Sequence, residues 1–119
     1  MIFRTAACAA ALLGLSALPA AAQRSGTYAV EGTTAAGQRY EGSATLAATG
    51  PRTWRITWRT SGETSTGVGF VAGSMLVIGY VAGREVGAAA YRILPDGTLE
   101  GEWTQGREGG VGTERLLPR

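Results

Sequence analysis

The sequence predicts an all-β protein, a small eight-stranded antiparallel barrel that runs up and down in chain order. Apolar and polar residues alternate with a period of two along most of the chain, and turn signals recur about every 8–12 residues. The 119 residues include 19 glycines, which disfavour helices. Every connection is short enough for a hairpin, and eight strands in a meander close into a barrel that has no free edges. A two-sheet β-sandwich is the alternative.

The first four predicted strands are alternating segments bounded by turn residues. The third is the clearest, because Trp54, Ile56 and Trp58 alternate with polar neighbours. Turn residues flank it at Thr49-Gly50-Pro51 and at Ser61-Gly62, and such residues favour chain reversal. The four predicted strands are Gly26 to Gly32, Gln38 to Ala47, Trp54 to Arg59 and Glu63 to Ala72.

The last four predicted strands continue the same pattern. The sixth and seventh are joined by Pro95-Asp96-Gly97, in which proline restricts φ and glycine accepts a positive φ. A glycine-rich segment from Gln105 to Gly110 precedes the last strand. The four predicted strands are Met75 to Ala82, Glu85 to Leu94, Thr98 to Thr104 and Val111 to Leu117.

Glycines and large aromatic residues within the strands favour closure of the barrel. Glycine weakens an ordinary strand, but in a tight barrel it permits sharp bending and lets a facing ring lie over the backbone. Six rings on the predicted inner face are large enough to fill much of an eight-stranded lumen. They are Tyr28, Tyr40, Trp54, Trp58, Tyr91 and Trp103.

The N-terminal residues read as a secretory signal peptide. Arg4 precedes an apolar run from Ala6 to Leu18, and the segment ends in an Ala-x-Ala pattern at Ala22. The run is shorter than the roughly 18 residues of a membrane span. We therefore expect a signal peptide at 1–22, a single barrel domain at 23–119, and an exported protein in the periplasm or outside the cell.

The residue inventory after position 22 excludes much catalytic chemistry. The chain contains no histidine, and its single cysteine is Cys8. Ser-His and Cys-His catalysis, disulfides and the usual zinc and copper ligands are thus absent from the predicted domain. Glu100 and Glu102 share a strand face opposite Trp103, which places this carboxylate pair outside. We expect a protein that is not an enzyme and needs no cofactor or metal.

Charge and patterning exclude other partners. Ten arginines and nine acidic residues remain after position 22, and no basic block is present, so a nucleic-acid partner is not expected. Arg52, Arg55 and Arg59 form an exposed basic stripe, which is interpreted as ordinary surface charge; attraction of an acidic partner or an anionic polymer is the alternative. Because most strands place charge on the outward face, where lipid would lie, we do not expect a transmembrane protein.

Glu114 is open to two interpretations. It is an acid facing a ligand, or it accepts a hydrogen bond or ion pair that closes the last strand onto the first; the second is favoured. Neighbours on a strand alternate, so Glu114 and Arg115 cannot both face inward without a bulge.

The fifth strand predicts an interaction surface. It is apolar on both faces, although a barrel has only one inner face, so the other face is an exposed apolar ridge of the kind that marks interfaces. We expect Met75, Val77 and Val81 to contact a protein partner or a second copy of the chain, together with Ala88 and Ala90 of the sixth strand.

The start of the first strand resembles that of the calycin barrels, which include lipocalins, avidins and small bacterial protease inhibitors. Gly26-Thr27-Tyr28 corresponds to their Gly-x-Trp, with Tyr in place of Trp. In lipocalins a basic residue of the last strand often packs over this ring, and the resemblance implies that role for Arg115.

A longer pattern resembles a family of small exported bacterial proteins of unknown function, some of which carry a fibronectin-binding label. It covers nearly all of residues 23–119, and its glycine and aromatic positions imply a barrel rather than an active site. The pattern reads Gly26-x-Tyr28-x-Val30-x-Gly32, Tyr40-x-Gly42, Trp58, Gly67-x-Gly69, Tyr91-x-Ile93-x-x-Asp96-Gly97-x-Leu99-x-Gly101-x-Trp103-Thr104 and Gly112-Thr113-Glu114.

Three functional hypotheses follow. The first is an exported, non-enzymatic binding module that uses its outer surface or loops. The second is a carrier of a small apolar ligand in the barrel mouth, near Tyr28, Trp54, Trp58 and Trp103. The third, a carboxylate enzyme, requires a pair of acids that converge in a cleft. An empty or filled lumen separates the first two hypotheses.

Overall fold

The computed structural model describes residues 25–119, which form eight antiparallel β-strands. The expected signal peptide at 1–22 lies outside the described residues. No helix in the described part of the chain is long and apolar enough to cross a membrane. The strands are β1 (Gly26–Thr33), β2 (Arg39–Ala48), β3 (Thr53–Thr60), β4 (Glu63–Ala72), β5 (Met75–Ala82), β6 (Glu85–Ile93), β7 (Leu99–Gln105) and β8 (Gly112–Pro118).

The strands form a closed barrel in chain order, with each strand paired to the next and β8 paired to β1. Val30 of β1, for example, lies opposite Gly42 of β2 on one side and Leu116 of β8 on the other. The predicted up-and-down barrel is therefore confirmed, and the sandwich alternative is wrong. Closure pairs every strand on both sides and leaves no open sheet edge.

Side chains alternate between the lumen and the outer surface. On β5, Leu76, Ile78 and Tyr80 are buried, whereas Val77 and Val81 are exposed. The six predicted inward rings are all buried or partly buried in the core. The buried apolar residues are Tyr28, Val30, Ala44, Leu46, Trp54, Ile56, Trp58, Leu76, Ile78, Tyr80, Ala82, Ala89, Tyr91, Leu99 and Leu116.

Glycines let aromatic rings lie directly against the strand backbone. A Cβ at Gly32 would overlap the Tyr40 ring. At Gly112 a Cβ would come within 2.5 Å of the Trp103 ring, closer than real contacts allow. This role of in-strand glycine was expected from the sequence. Gly79 differs, because a Cβ there would meet nothing within 4 Å.

The predicted strand ends are correct to within about one residue. β4 and β5 have the predicted bounds, and the others shift slightly because pairing with both neighbours decides where each strand ends. The predicted turn at Pro95-Asp96-Gly97 is present. Gly97 has a φ of 92°, and the Thr98 amide donates to Asp96 Oδ1 at 2.8 Å.

Arg115 does not pack over Tyr28, which corrects the role implied by the calycin resemblance. Its side chain is on the outer face, where Nε lies 3.3 Å from Glu100 Oε2 and Nη1 lies 4.0 Å from Glu31 Oε1. The reason is the alternation of β8, in which Glu114 and Leu116 are buried while Arg115 is exposed. Exposed ion pairs of this kind contribute little to stability.

Candidate functional site

A cavity opens at the barrel end formed by the β1–β2, β3–β4, β5–β6 and β7–β8 connections, which we call the mouth. Its volume is about 250 Å³, below the roughly 300–1,000 Å³ of sites for drug-sized ligands. Five rings from five strands line it, and Glu114 of β8 lies among them. The rings belong to Tyr40, Trp58, Tyr80, Tyr91 and Trp103.

Glu114 is 6% exposed and accepts three hydrogen bonds from rings across the lumen. Tyr40 Oη donates to Oε1 at 2.6 Å. Trp58 Nε1 and Tyr91 Oη donate to Oε2 at 2.8 and 2.7 Å. The donors come from β2, β3 and β6, so this one carboxyl connects four strands through the interior. Bonds from donors to an ionised acceptor are short and roughly twice as strong as neutral ones.

The strand register makes room for this carboxyl. Glu114 lies opposite Gly32 on β1 and opposite Gly101 on β7. Because neither neighbour has a side chain, the lumen beside Glu114 is free for the rings of other strands. The Tyr40 ring uses part of that space, since it lies where a Cβ of Gly32 would be.

Burial and hydrogen bonding act on the ionisation of Glu114 in opposite directions. Burial is the larger effect and raises the pKa of the carboxyl, whereas the bonds from Tyr40, Tyr91 and Trp58 lower it. The indole N–H can only donate, so the geometry around Oε2 is that of an acceptor. No arginine forms an ion pair with Glu114 within residues 25–119.

The three tyrosines around the cavity keep their protons. Burial, followed by the charge of Glu114, raises the pKa of Tyr80 to about 12. The same two causes raise the pKa of Tyr40 and of Tyr91 well above the ordinary value of 10. Tyr80 Oη donates to Gln105 Oε1 at 3.0 Å. All three phenols therefore stay neutral donors near neutral pH.

The rings support one another at the cavity wall. The Trp58 and Tyr80 ring centroids are 5.2 Å apart at 60°, and those of Tyr40 and Trp103 are 6.1 Å apart at 72°. Edge-to-face arrangements of this kind are favourable. Trp103 Nε1 is buried and makes no hydrogen bond among the described residues.

The rim of the cavity is polar. Arg39 and Glu63 are exposed there and carry opposite charges. The charges of Arg39 and Glu63 at the rim therefore offset each other. The charge inside the cavity is set by the buried carboxyl of Glu114. The other polar residues of the lining are Thr34, Gln38, Thr60, Ser61, Ser65 and Gln105.

The structure brings together two of the four residues that were predicted to bind a ligand. Trp58 and Trp103 line the cavity. Tyr28 and Trp54 are buried nearer the starts of β1 and β3, toward the opposite end of the barrel, and are not part of the lining. Ligand binding itself stays a prediction for all four residues.

Sequence reasoning underestimated Glu114 and did not assign Tyr40, Tyr80 or Tyr91 to a site. It favoured a bond from Glu114 to the first strand, but the bonds run to β2, β3 and β6 instead. The sequence contained one signal for this site, namely an isolated acid, Glu114, at an inward position of a strand. The alternation within one strand does not show which rings of other strands reach that acid.

The outer face of β4, β5 and β6 carries an apolar surface, which we call the valine patch. It consists of Val68, Phe70, Val77, Val81 and Val86, whose exposed fractions range from 37% to 69%. The strand register makes it continuous, since Phe70 lies opposite Val77 and Val81 lies opposite Val86. Of the predicted interface residues, Val77 and Val81 belong to it, and Met75 is partly buried at the start of β5.

The acidic residues outside the cavity are placed on the outer face of the barrel. The predicted outward pair is indeed outside, because Glu100 forms ion pairs with Arg92 at 2.9 Å and with Arg115, and Glu102 is exposed. Within residues 25–119 no group of three or more acidic, histidine or cysteine side chains is placed to hold a metal ion. The buried carboxyl and its aromatic surroundings provide hydrogen bonding, charge and ring contacts.

Comparison with known proteins shows likeness in fold. No protein-family model and no curated protein matches the chain. A redesigned β-barrel superimposes with a TM-score of 0.72 at 15% identity, covering 86% of this chain and 95% of the other. The redesigned barrel mFAP1 bound to DFHBI gives 0.68 at 19% identity, covering 84% and 97%. A de novo designed fluorescence-activating barrel gives 0.67 at 15% identity, covering 85% and 98%.

These likenesses place the chain among small closed antiparallel barrels. The identities are too low to indicate more than the fold. The resemblance to small exported bacterial domains rests on the sequence motifs alone and stays a prediction.

Proposed function

We propose that the protein is an exported, non-enzymatic barrel that binds a small ligand in the cavity at its mouth. The observation that carries this proposal is the cavity itself, in which five rings surround a buried carboxyl held by three hydrogen bonds. Aromatic walls around a convergent polar group, as the five rings provide around Glu114, are usual in small-molecule sites.

The incomplete filling of the lumen favours the carrier hypothesis. Side chains such as Tyr28 and Trp54 fill the lumen away from the mouth, where they are 2% and 7% exposed, but the mouth keeps about 250 Å³.

The fold is compatible with such a role. The barrel mFAP1, with a TM-score of 0.68 to this chain, is described as bound to DFHBI. DFHBI is a ligand of mFAP1. For the present chain, the comparison supports only the idea that a small barrel can hold a ligand.

The non-enzymatic and exported parts of the proposal rest on the sequence. Residues after position 22 contain neither histidine nor cysteine, and the leader-like segment at 1–22 indicates export. Membership in the family of small exported bacterial domains, with its fibronectin-binding label in some members, would agree with export and with binding.

The valine patch favours a second candidate function, the docking of a protein partner on the outer face. Five apolar side chains on three adjacent strands are exposed together, and contiguous exposed apolar surface is typical of interfaces. A second copy of the chain is the simplest partner, because a two-fold contact pairs the same patch with itself. This function is compatible with ligand binding at the mouth.

Tryptophan fluorescence tests the ligand proposal. The protein expressed from the full-length sequence is titrated with a library of small apolar, aromatic and amine compounds. We expect saturable quenching or a blue shift that is reduced in Trp58→Phe and kept in Trp54→Phe, because Trp58 and Trp103 line the cavity and Trp54 does not. A flat response with both variants folded would show that the mouth has no ligand among these classes and would contradict the proposal.

A further inference from the structure

The charge balance inside the barrel is the starting point for naming the ligand class. Glu114 is the only ionisable carboxyl among the buried residues of 25–119, and no arginine pairs with it. Burying an ionised carboxyl without an opposite charge is costly. The three hydrogen bonds from rings reduce this cost, but they bring no positive charge.

The aromatic surroundings have the electrostatic sign that a cation requires. The faces of Tyr and Trp rings carry negative potential and attract ammonium groups within about 6 Å. Tyr40, Trp58, Tyr80, Tyr91 and Trp103 line the cavity together with Glu114. Tyr40 and Tyr91 donate hydrogen bonds to Glu114. The lone pairs of their hydroxyl oxygens therefore provide further acceptors near the carboxyl.

Anionic ligands do not fit this site. An acid such as a fatty acid would place its carboxylate beside that of Glu114, and like charges at short range repel strongly. Arg39 offers a positive charge at the rim, but Glu63 offsets it there. The deep part of the cavity thus has a single sign of charge, which is negative.

We propose that the ligand is a small amine or quaternary ammonium compound whose positive group is held by Glu114 and the surrounding rings. This inference rests on the proposed ligand-binding function and adds the chemical class. The small volume, about 250 Å³, limits the ligand to a compact head group with few further atoms. No arginine within residues 25–119 forms an ion pair with the Glu114 carboxyl. The cationic group of the ligand therefore supplies the positive charge that this carboxyl lacks.

A pair of ligands that differ only in charge tests the inference on the unaltered protein. Choline is compared with 3,3-dimethylbutan-1-ol, its neutral isostere, and phenyltrimethylammonium is compared with tert-butylbenzene, by tryptophan fluorescence at about pH 8. We expect each cation to bind about tenfold or more tightly than its neutral partner, as a desolvated cation–π contact and an ion pair together imply. The anion 3,3-dimethylbutanoate should bind more weakly than either choline or its isostere.

A charge-neutralising variant identifies the residue responsible. Glu114→Gln should reduce the cation preference to about twofold or less, whereas Glu102→Gln, the same change at an exposed outer position, should leave it intact. Near-ultraviolet circular dichroism and thermal unfolding verify that both variants fold. If Glu114→Gln does not fold, the ligand pairs on the unaltered protein still decide the matter.

The outcomes separate this inference from the proposed function. Equal binding of each charged and neutral pair would overturn the cation inference while ligand binding stands. Tighter binding of the neutral compounds would also overturn the cation inference while ligand binding stands. If neither these probes nor the wider library binds, the ligand-binding proposal fails and the cation inference fails with it.

Discussion

At the scale of single residues, Glu114 is the one charged side chain among the buried residues of 25–119. It is 6% exposed, and burial raises its pKa in spite of three donors. An apolar residue of similar size would avoid the cost of burying an ionisable group, although three ring donors would then need other partners. A residue that lowers stability in the unliganded protein fits a role in binding, where stability is often exchanged for function.

The ionisation of Glu114 makes stability depend on pH in a definite direction. Because its folded-state pKa lies above the ordinary 4.5, the folded protein keeps this proton at pH values where the unfolded chain has released it. Its contribution is complete below about pH 4.5 and is lost as the pH rises through the folded-state pKa. Relative to Glu114→Gln, the unaltered protein should therefore lose stability between acidic and neutral pH.

Urea unfolding of the unaltered protein and of Glu114→Gln across this pH range measures the difference in their free energies of unfolding. Taking the difference removes the contributions of the other acidic residues, which the two proteins share. A stability difference that is constant with pH, or that moves in favour of the unaltered protein, would mean that the hydrogen bonds outweigh burial. Glu102→Gln, the same substitution at an exposed position, is measured alongside as the matched control.

At the scale of strands, glycines on β1, β7 and β8 create the site. Gly32 and Gly101 lie on either side of Glu114, and Gly112 lies against the Trp103 ring. The positions without side chains alternate with large rings from neighbouring strands, so the lumen is filled unevenly. This unevenness leaves space at the mouth.

Replacing either of two glycines by alanine distinguishes the role of glycine in ring packing from ordinary strand flexibility. In Gly32→Ala the new Cβ would overlap the Tyr40 ring, so the ring must move and its bond to Glu114 must break. We expect a loss of about 2 kcal/mol in the free energy of unfolding. In Gly79→Ala the new Cβ meets nothing within 4 Å, and alanine should stabilise the strand by about 0.5 kcal/mol.

Denaturant unfolding of the two variants gives both values in one experiment. Equal effects at Gly32 and Gly79 would show that the Tyr40 ring moves without cost, and the proposed packing between β1 and β2 would then be wrong.

At the scale of the whole molecule, closure of the barrel leaves the protein with one apolar outer face. Closure removes the sheet edges by pairing β1 with β8, but it cannot bury the outward side of β5. The valine patch is the result. The mouth and the patch lie on different parts of the surface, since no residue of the patch lines the mouth cavity.

Self-association through the valine patch is the prediction at this scale. Size-exclusion chromatography with light scattering at micromolar concentration should give twice the mass of one chain. Val81→Glu should restore the mass of one chain, because the charge would be buried in the contact. Val111→Glu, at a residue that is also exposed at 56% but outside the patch, should leave the dimer intact. A monomeric unaltered protein would contradict the assignment of a second copy of the chain as the partner of the valine patch.

The sequence predicted the fold closely and the site only in part. Alternation placed Trp58, Trp103 and Tyr91 inside correctly, because strand period is a local property that short segments express by themselves. It placed Tyr28 and Trp54 near a ligand as well, although both lie toward the other end of the barrel. Position along the barrel axis follows from the stagger of eight strands, and no single segment contains that information.

The set of strands, the side of each strand that faces inward and the chemistry that residues 23–119 lack all follow from the order of the residues. The convergence of Tyr40, Trp58 and Tyr91 on Glu114 arises only in the folded barrel. These residues are separated from Glu114 by 74, 56 and 23 positions and meet because barrel closure brings four strands around one lumen. Local physical chemistry specifies the strands, whereas contacts across the lumen depend on the register of every pairing at once.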